Sequence, residues 1–362
     1  MHITLVAGAR PNFMKIAPII RAIDQKRAEG NNINYRLVHT GQHYDRAMSG
    51  SFFEQLNIPD PHVNLDCGGG TQAEQTAAIM IAFEKDLANN PTDWVIVVGD
   101  VTSTLACSIV AKKAGVKLAH VEGGIRSGDL SMPEEINRMV TDSISDLFFT
   151  TSETANSHLR KSGFPEDKII FVGNTMIDTL LLNQHRFFPP AFWEAEQLSK
   201  RNYLVMTLHR PSNVDNLVQL TKLFEVLESE LQKYKVIFSV HPRTQKNMER
   251  FGISPRNVFL SPPMSYLEFN YLVKHAFGVI TDSGGITEET TILGIPCLTL
   301  RDSTERPETC TIGTNELVGT EPEQLRLALK KLFSGSWKTG DIPPLWDGKS
   351  AERIVQHLLE AS

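Results

Sequence analysis

The chain has 362 residues, room for two domains of ordinary size, and its 41% hydrophobic and 22% charged content is that of a soluble globular protein. A formal charge of −6 argues against a broad nucleic-acid surface, but leaves room for a local cluster of cations around an anionic small ligand. No apolar run approaches the roughly 20 residues that span a bilayer; Cys67, Cys107, Cys297 and Cys310 lack CxxC spacing, which argues for reduced, cytosolic thiols and no structural zinc.

The first segment, "HITLVAG", reads as a buried strand; it lacks the charged start and cleavage site of a signal peptide. A helix over "NFMKIAPIIRAIDQK" follows, then the strand "NYRLVHTG" and a helix at "MSGSFFEQL". The long segment from Thr71 is helical. "WVIVVGD", "KLAHVEGG" and "LFFTTS" are strands, separated by helices at "STLACSIVAKKAG" and "EEINRMVTDSIS". This alternation predicts a parallel sheet covered on both faces. The rhythm restarts at "NYLVMTLH" and continues through "KVIFSVHP", "NVFLSPP", "FGVITDS" and "PCLTL", with helices between them. The expected organisation is α/β, with a first Rossmann-like domain over residues 1–180 and a second over 181–345. Residues 346–362 form a last helix that packs back on the first domain. Two such units in tandem suggest a ligand in a cleft between them, at the carboxyl ends of the strands.

The residues just after those strands are therefore the candidates. "GARPNFMK" has Gly8 for a tight turn and Arg10 and Lys15 near a helix start, which favours anions. Neither GxGxxG nor a P-loop is present. Asp100 follows a buried strand, where it could equally cap the next helix. Glu122 occupies the same topological position beside Gly-Gly, and Glu134 and Glu135 open a helix after Pro133. Three carboxylates converging on one rim suit proton transfer. His209 and Arg210 follow the first strand of the second unit, and His241 and Arg243 the next. In "TDSGGITEE", Ser283, Gly284 and Gly285 allow backbone N–H groups to approach an anion at a helix start. Glu289, one turn in, is suited to accept from two neighbouring hydroxyls, and Arg306 to reach back toward a phosphate.

These segments, with "RDSTERPE", occur in one order over nearly the whole chain. Together they closely resemble the non-hydrolysing UDP-N-acetylglucosamine 2-epimerases. The resemblance implies the two-domain glycosyltransferase-B fold, a homodimer, a cytoplasmic enzyme without cofactor or catalytic metal, and a UDP-sugar as partner. Membrane and nucleic acid are not expected partners. It implies that Ser283, Gly284 and Gly285 hold the diphosphate, Glu289 the ribose and Phe269 the uracil. Arg10, Lys15, His209 and Arg306 would surround the phosphates, and Asp100, Glu122 and Glu134, with His209, would be catalytic. Gln42, Glu134, Arg210 and His241 fit an allosteric site known in some members. Asp45 stands where a second Gln is expected there, and the basic residue expected near "CGGGTQ" is absent. The "GAR" form also resembles enzymes acting on UDP-2,3-diacetamido-glucuronate, the nearest alternative substrate. A UDP-sugar glycosyltransferase of the same fold is the alternative of a different class.

Overall fold

The computed structural model describes residues 1–41, 53–231 and 233–361, which fall into two compact units. Unit 1 comprises Met1–Leu182 and Pro344–Ser362, and unit 2 Asn183–Pro343.

In unit 1, seven parallel strands take the order β3-β2-β1-β4-β5-β6-β7. They are β1 (His2–Ala7), β2 (Asn34–His39), β3 (Val63–Asn64), β4 (Trp94–Val98), β5 (Lys117–Val121), β6 (Leu147–Thr150) and β7 (Ile169–Phe171). Val6, Val38, Val95 and Val97 pack on Ile79 and Phe83 of helix α2 (Gln72–Asn89) and on Ala106 and Cys107 of α3 (Thr102–Lys113). Their alternate neighbours Leu5, Leu37 and Ile96 are equally buried, so the sheet is covered on both faces. Helix α1 (Arg10–Ala28) follows β1, and α4 (Pro133–Ile144) lies between β5 and β6. Helix α5 (Glu153–Lys161) and α6 (Thr175–Asn183) complete this part of the chain.

Unit 2 has six parallel strands ordered β10-β9-β8-β11-β12-β13. These are β8 (Tyr203–Thr207), β9 (Lys235–Ser239), β10 (Val258–Ser261), β11 (Gly278–Thr281), β12 (Cys297–Thr299) and β13 (Asn315–Leu317). The helices are α7 (Pro211–Val214), α8 (Leu217–Glu230), α9 (Pro242–Phe251), α10 (Tyr266–His275), α11 (Gly284–Leu293), α12 (Pro307–Thr311) and α13 (Pro322–Phe333). The final helix, α14 (Ser350–Glu360), belongs to unit 1, where Asp178 accepts from the Ser350 and Ala351 amides at 3.1 and 2.7 Å. Trp346, fully buried, donates to the Thr151 carbonyl and anchors the returning chain.

Each sheet reverses its winding once, between β1 and β4 in unit 1 and between β8 and β11 in unit 2. Such a switch point splays two loops apart at the carboxyl edge, which is where open α/β sheets bind ligands. The chemistry of each unit gathers there.

Candidate active site

At the switch point of unit 1, the turn after β1 is held by Asn12. Its Oδ1 accepts from the Gly8 and Ala9 amides at 3.1 and 3.0 Å, and its Nδ2 donates to the Val98 carbonyl at the end of β4. This ties the two diverging strands together and places Lys15 one turn into α1. Lys15 Nζ lies 2.7 Å from Glu122 Oε2, and both side chains are buried. Glu122 has φ of 72°, a left-handed conformation rare for a non-glycine residue. A hydrogen bond from its amide to the Phe149 carbonyl holds it there. Backbone strain of this kind costs about 1–3 kcal/mol and gathers at functional sites. A Cβ on Gly99 would come within 3.0 Å of Lys15 Nζ and 3.8 Å of Glu122 Oε2. Asp100 is the next residue, and its carboxylate is engaged by α4.

Arg138 of α4 bridges two carboxylates. Its Nε and Nη2 donate to Asp100 Oδ2 at 3.0 and 2.6 Å, and its Nη1 to Glu135 Oε2 at 2.9 Å. Asn137 donates to the Asp100 carbonyl. Burial opposes the charge on Glu135, but the Ser127 amide and hydroxyl, Arg138 and the Gly128 amide outweigh it and hold the carboxyl below its ordinary range. Beneath the rim, His120 spans from Asp142 Oδ1 at 2.6 Å to the Gly99 carbonyl at 2.8 Å. Asp142 also accepts from the Gly124 amide and pairs with Arg126. Burial opposes its charge, but His120 and Arg126 outweigh it and hold the carboxyl below its ordinary range.

In unit 2, Thr281 of β11 lies in register with Thr207 of β8, and their hydroxyls are 2.6 Å apart. The two chains thus leave the sheet side by side, and Asp282 becomes the hub between them. It accepts from the His209 and Arg210 amides and from Asn213 Nδ2 at 3.0 Å, and its Oδ1 lies 2.8 Å from His209 Nδ1. Burial would raise its carboxyl, but His209, Asn213 and the Arg210 amide together lower it. Ser283 precedes α11 without a side-chain cap, and Ser283, Gly284 and Gly285 are only half-buried. The first amides of α11 are thus open to an anion, favoured by the helix dipole.

The expected residues fall into groups. Lys15 and Glu122 come together in unit 1, with Lys15 engaged by Glu122 rather than solvated, while Asp100 pairs with Arg138. Glu134 lies half-buried in the first turn of α4, beside the deeply buried Glu135. In unit 2, His209 meets Asp282 directly before Ser283. Arg210 donates from Nε to the Asp282 carbonyl and lies 3.8 Å from Glu305, which also pairs with Arg301. Arg306 pairs with the buried Glu288 of α11. Glu289 is also buried, against α10, where Asn270 Nδ2 lies 3.4 Å away. Burial and then the Glu289 charge push the Tyr266 hydroxyl well above its ordinary range. Phe269 is half-buried on the same helix, packed against the sheet core. His241 is exposed and caps α9, accepting from the Arg243 amide. Gln42 and the side chain of Arg10 lie outside the described residues.

Sequence reasoning missed Asn12, Arg138 and Asp282. Asp282 carried a usable signal, since it is a carboxylate directly after a buried strand, the feature that singled out Asp100 and Glu122. Arg138 stands one helical turn after Glu135 in "PEEINR".

Two Rossmann-like units, each with its polar groups at the switch point, define an α/β protein of the glycosyltransferase-B fold. Within that class the chain belongs to the UDP-N-acetylglucosamine 2-epimerase family, whose model matches residues 25–359. A UDP-N-acetylglucosamine 2-epimerase of Methanocaldococcus jannaschii is 41% identical over 371 residues, covering 99% of both chains. The crystal structure of the enzyme from that organism in complex with UDP-GlcNAc and UDP matches with a TM-score of 0.87 over 99% of this chain and 100% of that one. A UDP-2,3-diacetamido-2,3-dideoxy-D-glucuronate 2-epimerase of Pseudomonas aeruginosa is 37% identical, again over 99% of both.

Proposed function

We propose that the protein is a non-hydrolysing epimerase that interconverts UDP-N-acetylglucosamine and UDP-N-acetylmannosamine. The C1–O bond breaks with its electron pair leaving on UDP, the C2–H pair forms the C1=C2 bond, and a carboxylate takes the proton. UDP then adds back to the 2-acetamidoglucal while a proton returns to the other face of C2. The observation that carries this reading is Glu122, a buried carboxylate in strained backbone, held against Lys15 beside Gly99 and Asp100. Glu134, with Asp100 and Glu122, completes the acid–base set. In unit 2 the open N-terminus of α11 holds the diphosphate, with Ser283, Gly284 and Gly285 as its contacts. Developing charge on UDP is stabilised there by amides fixed before the reaction begins. His209 acts at the phosphates, joined by Arg10 and Arg306; Glu289 takes the ribose and Phe269 the uracil.

We place the enzyme in the cytoplasm, in keeping with its four free cysteines. Among the described residues no helix is long and apolar enough to cross a membrane. We assign it as a homodimer. Ile81 of α2 and Ile136 and Met139 of α4 are exposed apolar side chains on helices that pack side by side with α3, a face suited to a second copy.

Proton NMR with UDP-N-acetylglucosamine in D₂O tests the reaction. Deuterium at C2, with UDP-N-acetylmannosamine growing in and no free sugar, is the expected result. Free N-acetylmannosamine would instead mark a hydrolysing enzyme. No exchange and no product would remove this substrate and turn the assay to UDP-2,3-diacetamido-glucuronate.

A further inference from the structure

We propose that Asp282 is a positioning residue that fixes the protonation pattern of the His209 ring, so that Nε2 is the nitrogen presented to the nucleotide sugar; this rests on the function proposed above. The argument begins with the donors around Asp282. Its Oδ2 accepts from the Arg210 amide at 2.9 Å, the His209 amide at 3.1 Å and Asn213 Nδ2 at 3.0 Å. Its Oδ1 faces His209 Nδ1 at 2.8 Å and the His209 amide at 3.2 Å. A carboxylate has only acceptors to offer. A lone pair on His209 Nδ1 would be repelled by a carboxylate oxygen 2.8 Å away, so the ring proton of the neutral imidazole belongs on Nδ1 and Nε2 is left facing outward.

Asp282 itself is rigid. It is fully buried, and it sits at the switch point between β8 and β11 with three protein donors besides the imidazole. The imidazole it holds is 47% exposed, directly beside the open N-terminus of α11. A buried carboxylate thus aims an accessible ring, the arrangement by which an aspartate sets the tautomer of a catalytic histidine. Arg210 strengthens the hub from the other side by donating to the Asp282 carbonyl. None of these donors on Oδ2 can act as an acceptor.

That last point gives the test. In Asp282→Asn the amide oxygen must take the Oδ2 position, because three donors converge there. The NH₂ group then faces His209 Nδ1, which becomes an acceptor, and the neutral ring moves its proton to Nε2. In ¹⁵N-histidine-labelled protein, with the His209 signals assigned by loss in His209→Gln, the neutral ring of the wild type is expected as the Nδ1–H tautomer and that of D282N as Nε2–H. An Nε2–H ring in the wild type overturns the proposal, whether or not D282N folds. So does an unchanged tautomer in D282N.

Turnover supplies a second reading. The same exchange beside the catalytic histidine of serine proteases lowers kcat about 10⁴-fold, and D282N is expected to lose about 10²- to 10⁴-fold. Adding D282N to His209→Gln should cost less than about threefold more, since Asp282 acts through a ring that is already gone. An equal loss in both backgrounds would overturn the proposal. If the wild type turns over neither UDP-sugar, the reaction assigned above has failed, while the tautomer comparison still decides the role of Asp282.

Discussion

Lys15 and Glu122, 107 positions apart in sequence, form a buried ion pair in which the carboxylate belongs to a residue with left-handed backbone. The pair joins the helix after β1 to the end of β5, across β4, whose exit residue Gly99 would place a Cβ 3.0 Å from Lys15 Nζ. Removing one member of a buried pair leaves the other charge uncompensated, which costs about 3–5 kcal/mol.

Lys15→Met is therefore expected to lower unfolding stability by about that amount, because Glu122 is left in a site that is only 3% exposed. Glu122→Gln should abolish measurable epimerisation. The double variant should recover much of the stability of Lys15→Met and none of the activity. Urea unfolding and an epimerisation assay on the three proteins read the two effects apart, and additive stability losses would refute the pairing.

Gly99→Ala tests the spacing behind that pair. Gly99 has φ of 68°, and its new Cβ would lie 3.0 Å from Lys15 Nζ. The left-handed conformation costs an alanine about 1–2 kcal/mol. The displaced ammonium should lengthen its contact with Glu122 and lower kcat by more than about tenfold. A variant with lower stability but unaltered kcat would show that the distance between Lys15 and Glu122 is not critical.

Arg138 is expected to tolerate no replacement by lysine. Its guanidinium makes two bonds to Asp100 Oδ2 and one to Glu135, a fork that an ammonium cannot reproduce. Arg138→Lys and Arg138→Met should each lower kcat/KM by about 10²-fold. Full activity in the lysine variant would reduce Arg138 to a neutralising charge.

The sequence made the repeating strand–helix rhythm legible, and with it both sheets, because buried parallel strands are uniformly apolar. The three strands it did not announce, at 63–64, 169–171 and 315–317, all lie at sheet edges. They are two or three residues long and partly exposed, so neither length nor apolar run marks them. At the site, residues following strands could be found by position alone. What could not be read was which charge meets which. "GARPNFMK" gives no hint that Lys15 would be turned inward onto Glu122. Nor does "PEEINR" say that Glu135 is the glutamate joined to Arg138 while Glu134 stays half-buried beside it. The first choice depends on a pairing 107 residues apart, and the second on Arg138 being drawn to Asp100, 38 residues away, on the side of α4 that Glu135 shares.

Asp178 gives a pH dependence whose sign runs against the common behaviour of carboxylates. Burial pushes its pKa from 3.8 up to about 6; the Ala351 and Ser350 amides oppose that only in part, and the Asp347 charge adds to it. The folded state therefore binds this proton more tightly than the unfolded state. Between pH 3.8 and about 6 the folded protein holds more protons, so the contribution of Asp178 to stability falls as pH rises through that window and is flat above it. The shift of roughly two units corresponds to at most about 3 kcal/mol. Asp178→Asn does not titrate, and the amide it places opposite one of the helix α14 amides adds an offset that does not vary with pH. The unfolding free energy of the wild type minus that of the variant should then increase by up to about 3 kcal/mol from pH 7.5 to pH 4. Urea unfolding of both proteins across that range measures it, since all other titrating groups are shared. A difference that stays level, or that shrinks on acidification, would mean that the Ser350 and Ala351 amides hold Asp178 ionised despite its burial.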